Sequence, residues 1–380
     1  MCSGAAPALG PLCGRCDREG NETVSGQGDG AGAARRVSAE GLRAFVCGVL
    51  TAVGVPPADA AIVADCLVSA NLMGVDSHGV VRLAHYVRRL ENGTVKARPT
   101  LAFERRAPAL GILDGDDGLG HVVAWRASTH AMELAREAGS GTVLVRRSSH
   151  FGMAGFYVRR MVAEGFIGLA LTATDALLIP HGARRPFFGT NPVAIGFPTD
   201  GIPVVLDMAT TSIPYGKVAL AHTEGRPIPA DWGFDAAGHP TTDPAALVGL
   251  HPIAGPKGSG LAMVIDILCS VLTGMAWGPH IVSMYHEMER PRGLGHVLAA
   301  LDLGRLMDPA LFRARLGEML AEFAALEPAE GHARVCYPGQ PEGERAAERA
   351  ERGIPLDPGL RRELQALGER LGVVLPTLTA

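Results

Sequence analysis

The stretch Thr142-Val143-Leu144-Val145-Arg146-Arg147-Ser148-Ser149-His150-Phe151-Gly152 reads as a strand that empties into the mouth of a helix. Its first four residues are β-branched or aliphatic and predict a strand. Apolar side chains then recur at helical spacing, which predicts a helix from Gly152 to Glu164, and Phe166 to Thr174 predicts a second strand. This strand–helix–strand unit sets the fold class as mixed α/β. It leaves His150 in the first crossing loop, with Ser149 before it and Gly152 just after. An imidazole at such a place exchanges protons near neutral pH. A glycine there lets a ligand approach the backbone closely.

Outward from this unit, a helix is predicted over His121 to Ala138, stopped by Gly139, and strands over Val193–Phe197 and Val204–Leu206. The N-terminal part reads as all helical. Leu42, Phe45, Val46, Val49 and Leu50 recur at helical spacing, as do Ile62, Val63, Cys66, Leu67 and Ala70. A third helix is expected to start near Gly79, carry Leu83, Val87 and Leu90, and stop at Asn92-Gly93. Helical patterns return at Leu311–Leu326 and Leu360–Leu371. The expected organisation is an α/β domain over 105–304 and a discontinuous helical domain over 37–104 and 305–380. Residues 1–36 lack apolar periodicity and read as a disordered extension. Their Cys13-Gly14-Arg15-Cys16 has no second cysteine pair to complete a zinc site. The apolar run Leu261 to Trp277 is interrupted by Asp266 and reads as a buried core helix. In a bilayer, that charge would cost about 2.5–3.5 kcal/mol or more.

Composition narrows the function. The chain has 380 residues, 47% of them hydrophobic and 5% aromatic, and a net charge of −4. No basic run suggests a nucleic-acid partner. Seven irregularly spaced cysteines and no secretory h-region suggest a reducing, cytoplasmic setting and no membrane association. No G-x-G-x-x-G follows a strand, and Gly216-Lys217 lacks the rest of a Walker A loop. A bound dinucleotide would therefore sit outside a standard Rossmann turn.

Several stretches, taken in order, resemble the type-2 malate/L-lactate dehydrogenase family. They are Val75-Asp76-Ser77-His78-Gly79-Val80 with Arg82, Ser149-His150-Phe151-Gly152 with Gly155, and Gly189-Thr190-Asn191-Pro192. Leu206-Asp207-Met208-Ala209-Thr210, Gly255-Pro256-Lys257-Gly258 and Tyr337-Pro338-Gly339-Gln340 follow. The resemblance runs from about Val37 to Val374. It implies a non-Rossmann fold with a largely antiparallel central sheet, NAD or NADP as cofactor, a small carboxylate substrate, and a homodimer whose partner completes the site. The Gly255–Gly258 stretch, Ser283-Met284-Tyr285 and Arg292-Gly293-Leu294-Gly295 look most like the ureidoglycolate dehydrogenase subgroup. Thr174-Asp175 stands where many members carry Thr-Asn. Malate, L-lactate or sulfolactate oxidation, and reduction of cyclic 2-imino acids, are the alternatives within the family.

Hydride transfer from a 2-hydroxy acid needs a base for the hydroxyl proton, a cation for the carboxylate, and a fixed nicotinamide. His150 is the expected base. His78 is its rival, because the resemblance implies a relay of Ser77, His78 and Asp207. Ser77 serves either that relay or a helix cap. Arg82, four residues after His78, is expected on the same helical face as the carboxylate clamp, and Arg292 is carried over as substrate-binding. Lys257, at a predicted helix N-terminus, is the expected cofactor cation. Thr174, Asp207, Met208, Ala209, Gly339 and Gln340 are carried over as cofactor-lining. Asn191 reads as fixing a turn, and Arg88 and Arg89 as solvated helix arginines. A metal-dependent hydrolase using His78, His150 and Asp207 is a distant alternative; no metal ligand is assigned, because no H-x-x-x-H spacing is present.

Overall fold

The computed structural model describes residues 36–377. Apart from Arg36, the extension expected at 1–36, with its Cys13–Cys16 pair, lies outside the described residues. The described chain starts with a short strand, β1 (Arg36–Val37), paired antiparallel with β11 (Ile354–Pro355). That pair ties the two ends of the chain together. Ser38 then caps α1 (Ala39–Ala52) by accepting the Gly41 N–H. Pro57 opens α2 (Pro57–Leu72), a position where a proline sacrifices no helical hydrogen bond. Leu42, Phe45 and Val49 of α1, Val63 and Leu67 of α2, and Leu83 and Val87 of α3 (Leu83–Glu91) are fully or almost fully buried together. Leu364 and Leu367 of the C-terminal α10 (Pro358–Leu371) complete this core.

The third helix begins later than Gly79. Residues 76–78 and 80–82 form two 3-10 turns, and regular helix starts at Leu83. The cause is local: Gly79 is extended, and the Asn71 side chain accepts the Val80 N–H where a preceding turn would have done so. His78 and Arg82 therefore lie on separate turns rather than on one α-helical face.

A hairpin follows, β2 (Ala102–Ala107) and β3 (Leu110–Asp114), so strand begins inside the stretch read as wholly helical. Next come α4 (Gly120–Ala138), β4 (Ser140–Ser148), α5 (Ala154–Ala163), β5 (Phe166–Thr172), β6 (Val193–Phe197) and β7 (Val204–Met208). The loop-rich region holds α6 (Tyr215–Thr223) and the two-residue strands β8 (Gly233–Phe234) and β9 (Gly249–Leu250). The chain continues through α7 (Pro256–Asp266), β10 (Leu294–Asp302), α8 (Pro309–Ala324) and α9 (Gln340–Arg352).

Seven strands make the central sheet in the order β2-β3-β4-β10-β5-β6-β7. Every pairing is antiparallel except β3 with β4. The largely antiparallel sheet expected from the resemblance is therefore present. The strand–helix–strand unit is β4-α5-β5, with β10 inserted between its two strands. Period-two alternation divides each strand between two faces. Val143 and Val145 join α4 and α5 in one core, whereas Leu144 packs toward Ile265 and Cys269 on the other side.

The run Leu261–Trp277 is not a buried core helix. α7 passes into a π-helical turn at Ile267–Val271 and covers the sheet with Ala262, Ile265, Asp266, Cys269 and Ser270. Its other face is apolar and open: Met263, Val264, Ile267, Val271 and Leu272 are 48–57% exposed. An all-round apolar helix buries only the side that the sheet can reach. α8 buries no residue at all. Among the described residues, no helix is long and apolar enough to cross a membrane.

The start of α4 controls the His150 loop. A Cβ on Gly120 would lie 2.2 Å from the Ser149 carbonyl oxygen and 2.5 Å from that of His150. Ser149 is tied to the same turn, accepting from Gly120 N at 2.8 Å and donating to the Gly118 carbonyl at 2.9 Å. Gly120→Ala is expected to destabilise the fold by about 1–3 kcal/mol through overpacking. Thermal unfolding alongside turnover should show both falling, whereas an unchanged melting temperature would refute this close approach.

Candidate active site

A cavity of about 550 Å³ opens where the helical layer meets the ends of β5 and β7. It is lined by Ser77, His78, Arg82, His150, Thr174, Asp175, Asp207, Met208, Ala209, Gly339 and Arg292. Most of the residues singled out in the sequence thus converge. Two do not line it. Lys257 stands exposed on the first turn of α7. Gln340 serves its own loop, with its side-chain oxygen accepting from Tyr337 N and its amide donating to Glu344.

The two candidate imidazoles are neighbours. Their ring centroids lie 5.8 Å apart at an interplanar angle of 24°. His78 Nδ1 lies 3.0 Å from Ser77 Oγ. His150 Nδ1 lies 2.8 Å from the Tyr86 hydroxyl and 3.3 Å from the Gly152 amide nitrogen. Both Nδ1 atoms are therefore occupied, and Nε2 is the ring nitrogen left for a ligand. The amide can only donate, so it favours an unprotonated Nδ1. The hydroxyl can donate or accept, so its contact fits either tautomer; a lone pair on Nε2 requires the proton on Nδ1, with the Tyr86 oxygen accepting it.

Both rings are neutral. Desolvation, then the charge of nearby Arg82, pulls His78 down to about 4. Desolvation also holds His150 well below the usual histidine range, with His78, Arg292 and Arg82 adding to the effect. Each ring keeps part of its surface open to the cavity. Neutral imidazole is the form that accepts a proton. Behind them, the fully buried His296 ring lies 2.7 Å from Thr172 Oγ1 and 2.9 Å from Ser148 Oγ, and it stacks on Phe151. This network stiffens β4 and the loop that carries His150.

Arg82 donates from Nε to the Ser77 carbonyl at 2.7 Å and from Nη1 to the Tyr285 hydroxyl at 2.6 Å. Among the described residues no carboxylate pairs with it. Arg292 differs. Its Nη2 pairs with Asp175 and its Nε donates to the Val282 carbonyl at 3.0 Å. Its Nη1 is buried without a partner among the described residues. Asp207 Oδ2 accepts the Gly155 N–H at 2.7 Å at the start of α5. This carboxylate caps the start of α5, and the hydrogen bonds seen among the described residues do not join it to Ser77 or His78. The walls around it raise its pKa to about 6, mainly by desolvation. Asn191 is fully buried and joins loops, accepting from Thr174 N and donating to the Ala262 carbonyl. Among the described residues, no three His, Cys, Asp or Glu side chains gather as a metal-binding group.

Sequence reasoning missed three contributors. Tyr86 is not singled out in the sequence reading of this helix, although an aromatic with a hydroxyl near a helix start signals a buried polar contact. Asp175 was seen only as a departure from the family pattern. Arg89, read as solvated, is 2% exposed and donates into the segment that carries Tyr285.

Residues 37–365 match the family model for malate/L-lactate dehydrogenase. The chain is similar to the ureidoglycolate dehydrogenase (NAD(+)) of Escherichia coli strain K12, at 35% identity over 322 residues, 84% of this chain and 92% of that protein. It is also similar to the malate dehydrogenase of Pyrococcus horikoshii, at 34% identity over 348 residues, 89% of this chain and 96% of that protein. Among solved structures, sulfolactate dehydrogenase from Methanocaldococcus jannaschii aligns with a TM-score of 0.84 at 34% identity, covering 90% of this chain and 98% of that one. Matched over nearly all its described length, with converging imidazoles and guanidinium groups in its cavity, the chain belongs to the malate/L-lactate dehydrogenase family and is an oxidoreductase acting on CH–OH donors.

Proposed function

We propose that this protein oxidises ureidoglycolate, or a close 2-hydroxy acid with one carboxylate and a neutral carbonyl arm, using NAD or NADP. The observation that carries the proposal is the contrast between the two cavity arginines. Arg82 has no carboxylate partner and offers its full charge to the substrate carboxylate. Arg292 is locally neutralised by Asp175 yet keeps a buried, unpartnered Nη1. Such a site suits a neutral carbonyl oxygen. A second full anion, as in malate or sulfolactate, would meet the Asp175 charge. The ureidoglycolate relative supports the same reading.

For His150 to take the hydroxyl proton on Nε2, its Nδ1 carries the resting proton and donates it to the Tyr86 hydroxyl, 2.8 Å away, in preference to accepting from the Gly152 amide at 3.3 Å. His78, also neutral, binds the substrate beside it, with Ser77 fixing its ring. A nicotinamide dinucleotide, when bound, supplies the hydride acceptor. Thr174, Asp207, Met208, Ala209 and Gly339 line the same cavity as the imidazoles, which fits a group that must lie against the substrate carbon. Residues 102–304 then form the cofactor-binding domain, with 37–101 and 305–377 as the helical part.

The protein acts as a homodimer in this reading. The open apolar face of α7 needs a cover, and a second copy supplies one. Lys257, outside its own cavity, serves the cofactor only if that second copy brings it to one. Sedimentation equilibrium reading a monomer would remove this element. A cytoplasmic setting suits the free thiols of Cys47, Cys66, Cys269 and Cys336.

Two variants test the chemistry. Tyr86→Phe leaves the donor-only Gly152 amide as the Nδ1 partner and should move the proton to Nε2. The kcat for oxidation is expected to drop by ~10²–10⁴-fold, as general-base removal does, while cofactor affinity holds. A normal kcat would show that Tyr86 does not set the tautomer. Asp175→Asn frees the charge of Arg292. In a panel of ureidoglycolate, malate, L-lactate and sulfolactate with each cofactor, ureidoglycolate should lead in the parent protein. The variant should shift kcat/KM toward malate by about tenfold, the equivalent of ~1.4 kcal/mol. A parent that prefers malate would overturn the substrate assignment.

A further inference from the structure

We propose that Arg89, three residues after Tyr86 on α3 and outside the cavity lining, is a positioning residue that sets substrate affinity by holding the segment Ser283–Arg290 in shape. The inference rests on the reading of Arg82 as the carboxylate clamp. The guanidinium makes four contacts to that one segment. Nη1 donates to the Arg290 carbonyl at 3.0 Å, and Nη2 to the carbonyls of Ser283 at 3.1 Å, Met284 at 3.0 Å and Glu287 at 3.3 Å. Nε points at His85 Nε2, 3.3 Å away.

The segment has neither helix nor strand, so its carbonyls have no ladder to satisfy them. Buried carbonyls need donors. A planar fork with five N–H groups can serve several at once, whereas an ammonium is a compact point donor. Among the described residues no carboxylate pairs with Arg89, and desolvation lowers its pKa to about 10. Carrying an unpaired charge into the interior is costly, and here the return is a fixed loop. That loop matters because Met284 and Tyr285 line the cavity, and it leads directly into Arg292. Tyr285 accepts from Arg82 and lies under its guanidinium, with 5.6 Å from Cζ to the ring centroid. The Met284 amide donates to Asp175 Oδ2, the partner of Arg292. Arg89 thus braces both guanidinium subsites from behind without touching the substrate.

The test is Arg89→Lys, which keeps the charge and loses the fork. KM for the 2-hydroxy acid is expected to rise by about 10–100-fold, the equivalent of one or two charge-assisted hydrogen bonds. The dissociation constant for NAD(P), measured by fluorescence titration, should move less than about twofold, and kcat should fall less than KM rises. Hydrogen exchange should speed up in residues 283–292 and stay unchanged in α1 and α2. A purely structural arginine would instead lower the melting temperature and weaken cofactor and substrate together, and that pattern would overturn the proposal. Should Arg89→Lys fail to fold, Asn92→Ala loosens the same segment at the Met288 carbonyl, 3.4 Å from Asn92 Nδ2. A smaller rise in KM is then expected, and an unchanged KM would count against the proposal. Arg82→Lys is the control. If it raises KM while Arg89→Lys does not, the brace is wrong and the clamp stands. If Arg82→Lys leaves KM unchanged, the clamp itself is wrong.

Discussion

The contact between the Tyr86 hydroxyl and His150 Nδ1 joins the two parts of this molecule at the place where chemistry is expected. Tyr86 belongs to α3, whose core includes residues from both ends of the chain. His150 belongs to the loop after β4, held by the sheet and by the first turn of α4. Neither part alone would fix the ring. The helical layer supplies the partner for one nitrogen, and the sheet sets where the other can act. This dependence explains why so much buried polar structure gathers near one loop: Ser149 on the α4 turn, His296 between Ser148 and Thr172, and the Tyr157 hydroxyl donating to the Phe151 carbonyl.

Charge balance does the rest. Two neutral imidazoles lie near two arginines, and one of those arginines is cancelled by Asp175. The remaining positive charge favours a bound carboxylate and disfavours an imidazolium beside it before substrate binds. On proton transfer from substrate, a ring that was costly to protonate becomes charged beside the bound carboxylate, which offsets part of the penalty. Desolvation thus keeps the base in its accepting form, and the substrate's own anion eases the charge that follows. In the proposed reading, the same charge balance makes Asp175 a determinant of which second arm the substrate can carry.

Legibility in the sequence followed the physics of each feature. A short apolar run bounded by turn residues recovered β6 with its observed ends, although the strand packs on both faces, and helical spacing recovered α4 to within one residue. The later start of α3 was not legible, since it depends on the Asn71 side chain reaching Val80 from another helix. The open face of α7 was not legible either. An apolar helix looks the same in sequence whether a sheet, a partner or nothing lies on its far side. His78, Arg82 and His150 could be picked from local motifs and from the family resemblance. Arg89 could not, because its role comes from carbonyls roughly two hundred residues away in sequence. Asp207 was legible as a cavity residue, but the helix it caps was visible only in three dimensions.

The central claim is that His150 rests neutral with its proton on Nδ1 and its lone pair on Nε2. Nitrogen-15 NMR of histidine-labelled protein tests it directly. The chain has 13 histidines, and a His150→Gln difference spectrum assigns the one that matters. The account predicts a pyrrole-type Nδ1 and a pyridine-type Nε2 that persist as the pH falls well below the usual histidine midpoint. A proton on Nε2 at neutral pH, or a titration near the ordinary histidine pKa, would contradict it.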